Sequence, residues 1–148
     1  MQKQILNREL SWLSFNERVL QEAGDKTNPL IERLKFLGIF SNNLDEFFKV
    51  RVATIKRMVD LKVDSKVTLG VKPKKLLQQI QERVVQLQQN SQSIFKVILN
   101  ELEKENIFII NETQLNETQT EFVKIYFEEK VLPALSPIML GNLDDMPF

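Results

Sequence analysis

A polar cluster with the sequence SNNLDE occupies residues 41–46, directly before a pair of phenylalanines. The carboxamide of Asn43 offers both a hydrogen-bond donor and an acceptor, which suits the recognition of a polar ligand. Glu46 follows Asn43 at the spacing of a capping box, so Asn43 can equally serve as the N-cap of a helix. Both interpretations, ligand contact and helix cap, stay open at this point.

The other groups that could do chemistry are sparse. Asp45 and Glu46 are adjacent and diverge by ~100° on a helix, a poor geometry for a shared metal ion or a general acid–base pair. The chain has no cysteine and no histidine, which excludes thiolate, disulfide and histidine chemistry. None of its four glycines lies in a GxxxxGK[ST] phosphate-binding loop. We therefore expect no metal site and no catalytic residue in this chain.

A basic segment spans residues 49–75, with nine lysines and arginines against two aspartates, although the whole chain has a formal net charge of zero. A surface of one sign attracts ligands of the other, so this segment could gather a polyanion such as ATP or a phosphate chain through Lys72, Lys74 and Lys75. The alternative is a solvated helix end and loop that only keeps the chain soluble. Nucleic acid is not expected, since no aromatic residue interleaves the lysines of residues 56–75 to stack on bases.

The elements that must position these residues are predicted to be helices. A first helix over residues 10–23 ends at Gly24 and Asp25, and Asn28 and Pro29 read as the N-cap and first residue of a second. Gly38 is expected to loosen the second helix before the polar cluster, after which a third begins. The side chains predicted to face inward are Trp12, Phe15, Val19 and Ala23 with Leu13 and Leu20 beside them, then Leu30, Ile31, Leu34 and Leu37, then Leu44, Phe47, Phe48, Val52, Ile55 and Val59.

Two large side chains on these stripes have both a binding and a packing interpretation. Trp12 could stack on a base, but its place at the start of an apolar stripe favours a core anchor. Arg51 lies at the edge of the third stripe. Packing of its stem on Phe47 or Phe48, with a solvated guanidinium, is a sufficient explanation for it.

A loop is predicted for residues 63–72, and Pro73 begins a helix of about 30 residues, long enough to serve as a strut for the shorter helices. Its apolar positions repeat at spacings of three and four, as in a coiled-coil seam. The positions of this seam are Leu77, Ile80, Val84, Leu87, Ser91, Ile94 and Ile98.

The pattern changes after residue 106. Residues 107–110, IFII, predict a β-strand, and residues 134–140 predict a second one. Between them, Asn116 and Gln119 have the spacing of a capping box for a helix that extends to about Val131 and stops at Pro133. The side chains expected on the inward face of that helix are Phe122, Ile125, Tyr126 and Val131.

Two sequence blocks resemble a known family. ELSWLSFNERVL at residues 9–20 and SNNLDEFF at residues 41–48 are similar to the opening of bacterial polyphosphate kinases of the histidine-phosphorylating type. The similarity runs from residue 6 to residue 110 and continues more weakly to the end. It implies a mainly α fold, with an N-terminal helical bundle containing one long helix at residues 1–106 and the truncated start of an α/β head domain at residues 107–148.

The resemblance also implies a function. The family makes inorganic polyphosphate reversibly from ATP, and Asn43 corresponds to its nucleotide-contacting position, with Asn42, Asp45 and Phe47 as supporting residues. The nucleophilic histidine and Mg2+ belong to C-terminal domains, so this chain is expected to be an inactive N-terminal piece that binds no cofactor tightly. ATP or ADP, polyphosphate, the remaining domains and a homo-oligomer are the implied partners. A non-catalytic helical module that interacts through its long helix or basic segment is the alternative.

Composition agrees with an ordinary globular chain. Of its 148 residues, 43% are hydrophobic and 27% charged. No apolar run approaches the ~20 residues of a membrane-spanning helix, and the opening residues MQKQ lack the apolar core of a signal peptide. A cytoplasmic location is therefore expected. The sequence contains no signal from which peripheral association with a membrane can be read.

Overall fold

The computed structural model describes residues 7–62 and 71–137 of the chain. Within these ranges the regular structure consists of α-helices and short 3-10 and π-helical turns, with no strand. The predicted mainly α fold class is confirmed. The chain divides into two compact units, Met1–Phe108 and Ile109–Phe148. None of the described helices is both long and apolar enough to cross a membrane.

The first helix, α1, spans Arg8–Gly24 and ends where the sequence predicted, with Asp25 as its C-cap. The side chain of Asn7 caps its start by accepting hydrogen bonds from the backbone N–H groups of Glu9 and Leu10. The predicted inward face is wrong at Phe15, which is 58% exposed. The buried stripe is instead the one beside it, and its members are Glu9, Leu13, Asn16, Leu20 and Ala23.

The second helix, α2, spans Leu30–Phe47 and continues through a π-helical turn, Phe48–Val52, into α3, Ala53–Asp60. The helix is continuous through Gly38, where it was expected to loosen, and the predicted start of a new helix at Asn43 is wrong. An interior glycine costs a helix only ~1 kcal/mol relative to alanine, which tertiary packing can offset.

The start of α2 also differs from the prediction. Pro29 occupies the N-cap position, and the Asn28 side chain donates to the Glu22 backbone carbonyl and carboxylate, at 3.0 Å each, instead of capping the helix. The buried face of α2 is displaced from the predicted stripe, since Ile31 is 47% exposed. The residues that this face buries are Arg33, Leu37, Phe40, Leu44 and Phe47.

The π-helical turn changes which side chains face inward. Phe47 is 1% exposed, whereas Phe48, also predicted to be inside, is 38% exposed. A π turn holds one more residue than an α turn, so the buried stripe resumes at a shifted position. Val52 and Ile55 lie in the core as predicted.

The long helix, α4, spans Pro73–Lys104 and has 32 residues, as the sequence predicted, with proline at its first turn. It is ~48 Å long at 1.5 Å per residue. It packs against α1, α2 and α3, so it is the strut on which the shorter helices lie. Its buried face begins before the predicted seam, because Pro73 and Leu76 are buried and Leu77 is only partly buried. The predicted loop before it lies mostly outside the described residues.

One buried arginine joins three helices. Arg33 of α2 is 3% exposed, and its Nε donates to the carbonyl of Ala23 in the last turn of α1 at 2.9 Å. Its Nη1 also forms an ion pair with Glu101 of α4. The cation thus satisfies a carbonyl at the end of α1 and lies at the negative end of that helix dipole.

The second unit contains the 3-10 turn Glu112–Gln114, the helix α5 at Glu117–Tyr126, the π turn Phe127–Val131 and the 3-10 turn Leu132–Ala134. The predicted capping box of Asn116 and Gln119 is confirmed, with its two hydrogen bonds at 2.9 and 3.0 Å. The continuation of the helical segment to Val131 is confirmed too. Pro133 lies in the turn that follows.

Three predictions on this segment are wrong. Residues 107–110 form no strand, and neither do residues 134–137, while residues 138–140 lie outside the described part. A β-prone run needs a neighbouring strand for its backbone hydrogen bonds, and the described residues offer none. Phe122, Ile125 and Tyr126 are 68%, 49% and 54% exposed, so the predicted inward face is not buried.

Substitutions in α1 test which stripe faces the core. Leu13 is fully buried and Phe15 is 58% exposed, so we expect Leu13→Ala to lower the free energy of unfolding by ~2–5 kcal/mol. Phe15→Ala should lower it by about 0.5 kcal/mol or less, as is usual for surface positions. Urea unfolding of the two variants measures both values. A larger loss of stability for Phe15→Ala than for Leu13→Ala would show that the stripe predicted from the sequence, and not the one in the structure, faces the core.

Hydrogen exchange tests the relative stability of the two units. None of the described residues from 109 to 137 is buried, whereas α4 buries seven residues along its length. We therefore expect slower amide exchange at residues 77–98 than at residues 109–137. Slower exchange in the second segment would contradict the expectation.

Candidate functional site

Asn43 lies inside α2, on the side that faces α1. Its Nδ2 donates to Oδ1 of Asn16 at 3.1 Å, and Nδ2 of Asn16 donates to the backbone carbonyl of Phe40 at 3.1 Å. Asn16 is fully buried and Asn43 is partly exposed. The capping interpretation of Asn43 is wrong, because the helix continues on both sides of it. Its carboxamide is instead the outer end of a hydrogen-bonded chain that begins in the core.

Three aromatic rings pack together near the end of α2. The rings of Trp12 and Phe47 stack with centroids 4.7 Å apart and planes 9° from parallel, and Phe48 meets Phe47 edge-on at 6.1 Å. Trp12 packs against the core, as predicted for an anchor. Phe47 was expected to support the site. Because Phe47 is almost fully buried, it can support the site only by packing under it. Phe48 provides the exposed edge of the aromatic layer.

A buried carboxylate ties α1 to the π-helical turn. Glu9 is 6% exposed, and its Oε1 and Oε2 accept from Nη1 of Arg51 at 3.4 and 3.2 Å. Arg8 adds a second, exposed guanidinium at 3.5 Å. Packing of the Arg51 stem alone is therefore an insufficient explanation. Removing one member would leave the other poorly compensated, which is costly at a buried position.

The two predicted supporters of Asn43 within the polar cluster, Asn42 and Asp45, face solvent. Asp45 accepts a hydrogen bond from Nζ of Lys49 at 2.6 Å, one turn later, and this bond raises the pKa of Lys49. Asn42 is exposed. Among the described residues neither Asn42 nor Asp45 hydrogen-bonds to Asn43, so the structure brings Asn43 together with Asn16 and not with its predicted supporters.

The described part of the basic segment contains both paired and unpaired charges. Lys49 and Arg51 have carboxylate partners. Lys72, Lys74 and Lys75 are exposed at the start of α4 and form no ion pair within the described ranges. That first turn contains no acidic residue, and the N-cap position makes no side-chain hydrogen bond. The positive end of the helix dipole therefore adds to three ammonium groups.

Sequence reasoning missed Glu9, Asn16 and Arg33 as buried polar residues. For Asn16 a signal was available, since it lies at helical spacing between Leu13 and Leu20. A polar residue on an apolar stripe must find partners inside, and this one does. For Glu9 and Arg33 the partners, Arg51 and Glu101, are distant in sequence. No local pattern indicates these pairs.

The comparisons with known proteins give consistent results. Residues 5–110 match the family described as Polyphosphate kinase N-terminal domain. The chain is 49% identical to a polyphosphate kinase of Vibrio cholerae over 99% of its own length and 21% of that protein. It is 43% identical to the polyphosphate kinase of Escherichia coli K12, over 98% and 21% respectively. The chain thus spans about a fifth of the length of these curated relatives.

A solved structure extends the likeness to three dimensions. The crystal structure of polyphosphate kinase from Porphyromonas gingivalis matches with a TM-score of 0.71 and 35% identity, over 95% of this chain and 20% of that one. The family match covers most of the chain, including α1–α4 and both sequence blocks that carry the resemblance. This chain therefore belongs to the polyphosphate kinase family, whose N-terminal domain it carries.

Proposed function

We propose that this domain helps to enclose ATP in a polyphosphate kinase, which transfers the terminal phosphate of ATP reversibly to inorganic polyphosphate, and that Asn43 contacts the nucleotide. The observation that carries the proposal is the hydrogen-bonded chain from Phe40 through Asn16 to Asn43. This chain ends at the surface in the carboxamide of Asn43, whose position is fixed by its hydrogen bond to the buried Asn16. A group fixed in advance binds a ligand with less loss of side-chain entropy than a mobile one.

The phosphoryl transfer itself is assigned to other parts of the polypeptide. Such a reaction needs an in-line nucleophile and electrostatic stabilisation of the transferred group, usually by metal ions. The chain has no histidine, and the described residues contain no group of three or more acidic side chains that fits a metal ion. We therefore place the phosphorylated histidine and the Mg2+ sites in the remaining domains, and expect the 148-residue chain alone to be inactive.

Lys72, Lys74 and Lys75 are proposed as contacts for a polyanion. They are exposed and stand at an uncapped helix N-terminus, which favours phosphate groups. The polyphosphate chain or the phosphates of ATP would be the ligand. Homo-oligomerisation and a cytoplasmic location stay predictions.

Substitution of Asn43 tests the nucleotide contact. In the full-length kinase, Asn43→Ala should raise KM for ATP about 3- to 10-fold, the effect of losing one neutral hydrogen bond. Asn43→Asp should also raise it, because a carboxylate brings negative charge towards the nucleotide and sets an oxygen against Oδ1 of Asn16, which disturbs the fixed position of the side chain. Steady-state kinetics with varied ATP measures both.

Ser41→Ala is the matched control for these variants, since Ser41 is exposed on the same helix and its hydroxyl makes no hydrogen bond to a described residue. It should leave KM unchanged. If Asn43→Ala behaves like Ser41→Ala, Asn43 does not contact the nucleotide.

Charge removal at the start of α4 tests the polyanion contact. Replacing Lys72, Lys74 and Lys75 by glutamine in the full-length kinase should weaken polyphosphate binding mainly at low salt. Exposed charges are screened beyond ~8 Å at physiological ionic strength. Titration of polyphosphate binding at several salt concentrations gives the answer. If the variant binds polyphosphate as well as the wild type does at low salt, the three lysines do not contact polyphosphate and only keep the protein soluble.

Lys56 and Arg57 provide the control for this charge removal, because both are exposed basic residues on α3. Their replacement by glutamine removes positive charge without altering the first turn of α4. A similar loss of binding from this control would indicate a general effect of net charge and not a contact at Lys72, Lys74 and Lys75.

A further inference from the structure

The orientation of both carboxamides follows from one backbone carbonyl. The Phe40 oxygen can only accept hydrogen bonds, so the Asn16 group that faces it at 3.1 Å must be the NH2 group. The Asn16 oxygen then faces the opposite way, towards Asn43, and needs a donor. Among the described residues, the NH2 group of Asn43 supplies it, at 3.1 Å. The oxygen of Asn43 must therefore point away from Asn16.

That outward oxygen is available as an acceptor. It makes no hydrogen bond to any described residue. No buried side-chain oxygen or nitrogen in the described ranges lacks a partner, so the Asn43 oxygen must be accessible to solvent. A reversed Asn43 amide would place its oxygen against the oxygen of Asn16, which is fully buried and cannot turn to water instead.

We propose that Asn16 is a positioning residue that holds Asn43 with its amide oxygen outward, so that the domain recognises a hydrogen-bond donor on the nucleotide. The inference rests on the proposed nucleotide contact of Asn43. It adds that Asn43 is the hydrogen-bond acceptor in that contact and the nucleotide is the donor. Adenine offers its 6-amino group and the ribose offers its hydroxyls. A base with a carbonyl at the 6 position, such as guanine or hypoxanthine, would set an oxygen against the oxygen of Asn43.

The test compares nucleotide discrimination in variants of the full-length kinase. ATP, inosine triphosphate, 2′-deoxy-ATP and 3′-deoxy-ATP are assayed as phosphate donors, and kcat/KM for ATP is divided by that for each analogue. Inosine triphosphate reports on the amino group and the deoxy nucleotides report on the ribose. In the wild type we expect one of these ratios to be about 3- to 10-fold, the effect of one oriented hydrogen bond.

Three variants at buried positions separate orientation from stability. Asn16→Ala removes the acceptor that orients Asn43, so the discrimination ratio should fall towards one. Asn16→Asp still presents an oxygen to the NH2 group of Asn43, so it should keep the ratio even if it destabilises the fold. Leu20→Ala is the control, because Leu20 is fully buried on the same helix and makes no polar contact. It should lower the unfolding midpoint and keep the ratio.

A double variant shows whether Asn16 acts through Asn43. In the Asn43→Ala background, Asn16→Ala should change the ratio no further. If Asn43→Ala alone alters neither KM for ATP nor any ratio, the proposed nucleotide contact itself is wrong. If Asn43→Ala lowers the ratio but Asn16→Ala keeps the wild-type value, the contact stands and the positioning role of Asn16 is refuted. A wild type that discriminates against no analogue also overturns the inference.

Discussion

The hydrogen bond from Asn16 to the carbonyl of Phe40 is the constraint on which the packing of α1 depends. Two stripes with helical spacing compete on this helix, one through Phe15 and one through Leu13 and Asn16. The stripe with the polar residue is the buried one. Burial of an unpaired carboxamide would cost ~1–3 kcal/mol, so this choice is tolerable only because both ends of the Asn16 amide find partners on α2.

The rotation of α1 then positions the rest of the site. With Leu13 and Asn16 inside, Trp12 lies at the edge of the core where it stacks on Phe47. Glu9 is carried to the same interface, where it meets Arg51. Arg51 in turn lies in the π-helical turn, the place where the rod formed by α2 and α3 departs from regular α geometry. π-helical turns occur frequently at functional sites, and only Phe47 separates this one from the polar cluster.

Ion pairs between helices fix the bundle at several points along α4 and α1. Arg33 joins α2 to Glu101 near the end of α4, Arg83 of α4 pairs with Glu17 of α1, and Arg51 pairs with Glu9 at the start of α1. In each pair at least one side chain is largely buried or half-buried, so these contacts are less screened than surface pairs. They hold the crossing of α1 and α2, and with it the site at Asn43, between the two ends of the bundle.

Sequence alone determined the features that depend on neighbouring residues. Gly24 and Asp25 end α1, Pro73 starts a helix of 32 residues, and Asn116 with Gln119 caps α5, because each signal acts within one or two turns of backbone. The two motif blocks also identified the family, and the resemblance to it made Asn43 the candidate site residue. The prediction of a strand at residues 107–110 was wrong, because a strand depends on a partner strand and not only on its own residues.

Only the tertiary structure decided how the site is built. Asn43 had capping-box spacing with Glu46, but packing against α1 kept the helix continuous through it. Whether Phe15 or Leu13 faces inward, whether Arg51 is solvated or paired, and which way the Asn43 amide points all depend on groups 24 to 42 residues away in the chain. Local periodicity shows that a helix has an apolar face. The partner helix, through its carbonyls and charges, decides which face is buried.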